Sequence, residues 1–235
     1  SVEGNAYKDS NGKLLFSQIL KKQIPEQWEA KNLSDLIKDS SNGEWGEEIN
    51  SIEYPNRVFC LRGADINGLN GKDEFDPPIR YIKNKSKKSM LNQNDLIIEI
   101  SGGSPSQSTG RISYISEKVL KRFNSPIICS NFCRKISLKD PNLVYYFFNY
   151  WELIYKSNIF FNFEGKTSGI KNLLFDLLVN TIKVPVPDDK TLEKFNKICK
   201  DLEKQKQMRI VENQELAKMR DWLIPLLNNG QVKIN

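Results

Sequence analysis

The chain has 235 residues, 39% hydrophobic and 27% charged, which is the composition of an ordinary globular protein with one large domain or one domain plus an appendage. Lys plus Arg number 35 against 29 Asp plus Glu, a formal charge of +6, and there is no histidine. The missing imidazole excludes Ser-His-Asp and Cys-His triads, His-ligated zinc and histidine acid–base chemistry.

In chain order, residues 1–23 read as a lead-in, with Gly4, Asn5, Asp9, Ser10, Asn11 and Gly12 extended. Ile24-Pro25-Glu26-Gln27-Trp28-Glu29 then leads to Leu33, Leu36 and Ile37, a short helix capped by Asn32 or Ser34. Ser40 to Gly46 is a turn-rich loop. Short apolar runs bounded by turn residues predict strands at Arg57–Arg62, Asp95–Ile100, Arg111–Ile115 and Ile127–Leu138. Asp140-Pro141 is a helix start, with Asp at the N-cap and Pro at the first helical position. The aromatic segment Leu143 to Trp151 that follows predicts a buried core helix. A strand over Thr181–Val186, closed by Pro185 and Pro187, ends this mixed region.

Leu192 to Leu227 holds 36 residues without glycine, a helix of about 54 Å at 1.5 Å per residue. Stepping by three and four gives Phe195, Ile198, Leu202, Gln205, Arg209, Glu212, Leu216, Met219, Leu223 and Leu226, an apolar seam with a polar centre. The seam is nearly symmetric about its midpoint. An antiparallel copy sets Phe195 against Leu226, Ile198 against Leu223, Leu202 against Met219, and Arg209 against Glu212. Ile210 and Val211 lie off this seam and are free for a further partner. The expected organisation is a lead-in over 1–23, a mixed α+β recognition domain over 24–187, and a long coiled-coil-forming helix with its tail over 188–235.

No catalytic constellation emerges. Asp76-Pro77-Pro78-Ile79 has the shape of an amino-methyltransferase motif but carries Ile where an aromatic must stack on the base, and reads as a structural turn. Gly102 to Arg111 has the wrong spacing for a phosphate loop. Asp95 and Glu99 suggest a nuclease carboxylate pair, but Ser101 stands where such sites need Lys. Cys60, Cys129, Cys133 and Cys199 form no CxxC pair and read as free thiols of a cytosolic protein, with no metal site. No stretch reaches the roughly 18 apolar residues of a membrane span, and Ser1-Val2-Glu3-Gly4 has no signal-peptide pattern, so a cytoplasmic location is expected.

The charge points to a polyanion. Residues 1–50 carry a net −3, residues 51–187 a net +7 and residues 188–235 a net +2. Arg80, Lys83, Lys85, Lys87 and Lys88 form an acid-free cationic run suited to phosphates, although a solvated loop has the same composition. Ser106, Gln107, Ser108, Thr109 and Arg111 make a second candidate, since Gln and Arg can pair with bases through bidentate bonds. The third is Glu164 to Asn172, where Lys166, Thr167, Ser168 and Lys171 are expected to open a helix whose N-terminus holds a phosphate.

These segments, in order along almost the whole chain, resemble the specificity (S) subunits of type I restriction-modification systems. The resemblance rests on Ile24 to Glu29 with Leu33, Ile98 to Pro105, Gln107 to Arg111, Thr167 to Leu173, Val184 to Pro187, and the ending Met219 to Val232. It implies a DNA target recognition domain and a helix that spaces two half-sites. It also implies a subunit that is not itself an enzyme and binds no cofactor. Modification subunits would supply S-adenosylmethionine-dependent adenine methylation, and restriction subunits would use ATP and Mg. Whether the chain is a half-subunit acting as a homodimer or one half of a longer protein stays open, though Lys13 to Lys22 resembles the junction after a first helix. A stand-alone DNA methyltransferase or nuclease, and a protein-binding helical adaptor, are the alternatives.

Overall fold

A computed structural model describes residues 12–73, 75–167 and 169–231, without the side chains of Lys166 and Thr167. Residues 1–11 of the expected lead-in, and Val232 of the closing motif, lie outside those residues. From residue 14 the chain forms a hairpin: β1 (Leu14–Ser17) pairs antiparallel with β2 (Lys22–Pro25). β2 crosses the expected boundary at 23/24.

β3 (Glu29–Asn32) runs into α1 (Leu33–Leu36), where Asp35 Oδ2 accepts from the Asn32 backbone N–H at 2.9 Å and closes the first turn. β4 (Ile37–Asn42), β5 (Asn56–Leu61), α2 (Asp65–Leu69), β6 (Ile79–Ile82) and β7 (Leu96–Glu99) follow. Next come β8 (Ser101–Gly102), β9 (Ile112–Tyr114), α3 (Glu117–Leu120), β10 (Ile127–Cys129) and β11 (Cys133–Leu138). The predicted run 127–138 is thus two strands, broken where the Cys133 N–H turns back to the Ser130 carbonyl at 2.9 Å.

The central sheet has the order β4-β11-β7-β9 and is antiparallel throughout. Its strand β7 is buried on both faces, because side chains alternate along a strand. Leu96 and Ile98 enter the larger core, whereas Ile97 enters a second core with Leu61, Ile66, Leu69, Ile115, Val119 and Ile127. On the second core's side lies a sheet ordered β10-β5-β6, in which β5 and β10 run parallel.

The larger core is filled by α4 (Val144–Lys156), the aromatic helix read from the sequence. Asp140 Oδ1 accepts from the Asn142 N–H at 2.9 Å and starts the 3₁₀ turn Pro141–Leu143 that leads into it. Phe147 and Trp151 are wholly buried. The Trp151 indole N–H donates to the Gly110 carbonyl at 2.7 Å, and Phe160 stands edge-on to that indole at 5.0 Å. Gly110 lies at φ +110°, and a Cβ there would fall 2.4 Å from Phe160 Cδ2, so no other residue fits.

Two further expectations are corrected. Glu164 to Asn172 does not open a helix but forms the hairpin β12 (Glu164–Thr167) and β13 (Ile170–Leu173), which adds to β8. Gly169 takes a positive φ of 82° at its turn, a conformation that favours a tight reversal. The strand expected from Thr181 starts later. Thr181 ends α5 (Phe175–Thr181), where its hydroxyl donates to the Leu177 carbonyl at 2.7 Å, and β14 (Lys183–Val186) then pairs with β3.

The final helix, α6, spans Asp189–Asn228 and continues past Pro225, which lies in its last turns. Asp188 caps it by accepting from the Thr191 N–H at 3.0 Å. No helix among the described residues is long and apolar enough to cross a membrane.

Candidate nucleic-acid interface

The cationic run divides into two parts. Arg80, on β6, is buried, with its guanidinium 4.2 Å above the Trp45 ring and 2.7 Å from Glu48 Oε1. Lys83 pairs with Glu53 and lies 4.6 Å over the Tyr54 ring, and hydrogen bonding to Glu53, then to Tyr54, holds its ammonium above the ordinary range. Lys85, Lys87 and Lys88 differ. They project to solvent from the 3₁₀ turn Asn84–Ser89 and make no ion pair among the described residues. That turn is anchored by Ser86, whose hydroxyl donates to Glu44 Oε1 at 2.9 Å.

The 101–111 loop also divides, into a tied base and an open tip. Arg111 grips Glu99 through two bonds of 2.8 and 2.6 Å. Thr109 donates from its N–H and hydroxyl to Glu164 Oε1 at 2.7 and 3.1 Å, and the Tyr155 hydroxyl donates to the Ser108 carbonyl at 2.9 Å. Lys171 is buried, donates to the Gln107 carbonyl at 2.7 Å and pairs with Glu164 at 3.3 Å. Ser108, Thr109, Arg111 and Lys171 are therefore committed to internal partners and fix the loop's shape. Ser106 and Gln107 stay exposed at the tip, in a turn where the Gln107 N–H donates to Ser104 Oγ at 3.2 Å. Ser168 and the side chains of Lys166 and Thr167 lie outside the described residues.

The enzymatic candidates resolve as scaffold. Asp95 is buried, accepting from the Asn92 N–H and the Ser137 hydroxyl and pairing with Lys135 at 3.1 Å. Asp76 and Pro78 give carbonyls to the Arg62 guanidinium and the Cys60 N–H, each at 2.9 Å. Among the described residues no group of His, Cys, Asp or Glu could hold a metal ion.

A family model, the type I restriction modification DNA specificity domain, matches residues 25–216. The chain belongs to that family. No curated protein matches it. The specificity domain is similar to the crystal structure of a type I restriction-modification system S subunit from M. genitalium, at 13% identity and a TM-score of 0.53, over 85% of this chain and 45% of that one. A HsdS subunit from Thermoanaerobacter tengcongensis shares 14% identity at a TM-score of 0.40, over 81% of this chain and 40% of that one. The specificity domain thus spans less than half the length of these solved chains.

Its long helix meets its own domain through a mostly polar face. Leu192, Asn196, Glu203, Gln207 and Ile210 are buried there. The Asn196 amide donates to the Asn142 carbonyl at 2.8 Å, Glu203 accepts from the Ser116 hydroxyl at 3.2 Å, and Arg122 donates to Gln207 Oε1 at 3.2 Å. Ile210, expected to be free for a further partner, packs instead on its own domain, where a Cβ at Gly71 would lie 2.8 Å from its Cγ1. The predicted seam faces the other way. Ile198, Leu202, Leu216 and Met219 are more than half exposed, Gln205, Arg209 and Glu212 are exposed, and Phe195, Leu223 and Leu226 are half-buried. Arg209 and Glu212 also pair with each other along the helix, at 3.1 Å.

Glu164, Tyr155 and Trp45 escaped the sequence reading. Glu164 was legible only as an acid at the head of a basic loop. Trp45 sits in what reads as a turn-rich linker.

Proposed function

We propose that this chain is the DNA-reading unit of a type I restriction-modification assembly. It binds double-stranded DNA without catalysing a reaction or holding a cofactor. Lys85, Lys87 and Lys88 contact phosphates, and Ser106 and Gln107, with the neighbouring hairpin turn, reach the bases. The α6 seam pairs antiparallel with a second recognition unit, from another copy or a longer chain, and so sets the half-site spacing. Modification subunits methylate adenine with S-adenosylmethionine, and restriction subunits use ATP and Mg. The observation that carries this reading is the exposed apolar seam on the helix that continues a DNA specificity domain.

Co-expression with the modification subunit of the same system, followed by mapping of methylated adenines, tests it. A symmetric bipartite site is expected. A chain that methylates or cuts DNA alone overturns the reading, and so does a complex that leaves DNA unmethylated and unbound. Replacing Lys85, Lys87 and Lys88 by alanine is expected to flatten the salt dependence of binding by roughly 0.9 logarithmic unit for each phosphate that is no longer neutralised.

A further inference from the structure

The ends of several strands converge on a cleft of about 590 Å³, within the range that encloses small ligands. Trp45, Phe132 and Ile170 line it, each between a third and a half exposed, an apolar wall that neither core absorbs. Their positions are built in. Gly43 approaches the Cys129–Ser130 backbone so closely that a Cβ would fall 2.2 Å from both carbonyl oxygens. The Glu44 N–H then donates to the Cys129 carbonyl at 2.8 Å, which sets Trp45 beside the turn that carries Phe132.

Glu99 lies at the floor, with its side chain only 6% exposed. An added Cβ at Gly63 or Gly102 would stand 3.0 Å from its Oε1, so two glycines keep the approach to this carboxylate clear. Arg111 occupies one acceptor direction of each oxygen, and a carboxylate has about four, so both oxygens can still accept. Arg62, also on the wall, is neutralised by Asp65 at 2.9 Å. Each acid in the cleft thus has its base, which disfavours a free cation and suits a neutral, planar ligand that donates from its edge and stacks on its faces.

We propose that this cleft receives a nucleobase that has left the duplex stack, with Trp45 and Phe132 against its faces and Glu99 accepting from its exocyclic amino group. Adenine, cytosine and guanine carry that group, whereas thymine has no exocyclic amine and its one edge donor, N3–H, is flanked by two carbonyl oxygens that a carboxylate repels. Only an unstacked base presents face and edge together to so recessed an acceptor. The proposal rests on the DNA-reading function above. Its place supports it, because the Glu44 that carries Trp45 also anchors the turn bearing Lys85, Lys87 and Lys88, where the backbone of an extruded base would be held.

The test uses the full chain and a fluorescent duplex of arbitrary sequence, fully paired or with one bulged nucleotide, at fixed salt. Anisotropy is expected to show bulged dA, dC or dG binding about tenfold tighter than the paired duplex, and bulged dT no tighter. Phe132→Ala, with its folding checked by thermal unfolding, should erase the gain, as should Gly102→Val, which covers Glu99. A preference for bulged DNA that ignores base identity, or that survives both substitutions, overturns the proposal. Equal binding of paired and bulged duplexes removes the base cleft and leaves DNA reading standing, whereas failure of every duplex removes both.

Discussion

The two faces of α6 invert the usual arrangement. A surface helix normally buries its apolar stripe against its own domain and turns charge outward. Here the docked face carries Asn196, Glu203 and Gln207, and the open face carries Ile198, Leu202, Leu216 and Met219. Polar docking fixes where the helix leaves the domain through hydrogen bonds of defined direction, each of modest net value. The apolar face supplies non-directional energy that none of the described residues uses. The largest expected effect follows from that difference. In an antiparallel pair Leu202→Glu occurs twice, and at about 2 kcal/mol for each leucine left unburied it should weaken pairing by about 4 kcal/mol, roughly a thousandfold. Sedimentation equilibrium should show this while the unfolding temperature of the monomer stays put. A variant that loses both would make the seam part of the domain's own stability and break the contrast.

Ile210, with Leu192 near the helix start, is an apolar residue on the docked face. Its truncation in Ile210→Ala leaves a void beside Gly71 and should cost about 2 kcal/mol of stability in denaturant unfolding. Pairing affinity should not change, because Ile210 points away from the seam. A loss of pairing instead would mean that docking and pairing are one event.

The seam was legible because three-and-four spacing of apolar residues survives into any helix. The docked face was not, since Asn196, Glu203 and Gln207 have the composition of a solvated surface, and only the folded chain brings Ser116 and Arg122 to them. The same limit governed the DNA loops. Thr109 and Lys171 look free for phosphates and bases, but their common partner Glu164 lies 55 residues from Thr109 in sequence. The sheets and α4 were legible from short apolar runs and the Asp140-Pro141 start. The hairpin at 164–173 was missed because its glycine and polar residues suit a loop before a helix as well as a turn between strands.

Glu203→Ala probes the polar side directly. It removes the acceptor for Ser116 and Gln207 and the partner of Lys206, whose ammonium is 2.6 Å away. A loss of about 1–2 kcal/mol is expected, smaller than for Ile210, because a truncated side chain admits water to the groups it leaves. Thermal unfolding gives the value. An effect above that of Ile210→Ala would place the energy of docking in the polar contacts.

The smallest effect is a rate. Cys199 lies on the docked face between Asn196 and Glu203, half-buried, and burial holds its thiol above the ordinary range. The thiolate is the reactive form, so docking should slow alkylation at pH 8 and move its pH midpoint upward. Loosening the helix with Glu203→Ala re-exposes the sulfur, lowers the pKa toward its free value and raises the rate. The other three thiols are internal controls. Burial pushes Cys60 and Cys129 up to about 12 and Cys133 well up, all within the domain, so they should stay inert in both proteins until global unfolding. Acceleration confined to Cys199 would show the helix leaving an intact domain. Acceleration of all four would show that the polar face holds the domain together as well as the helix to it.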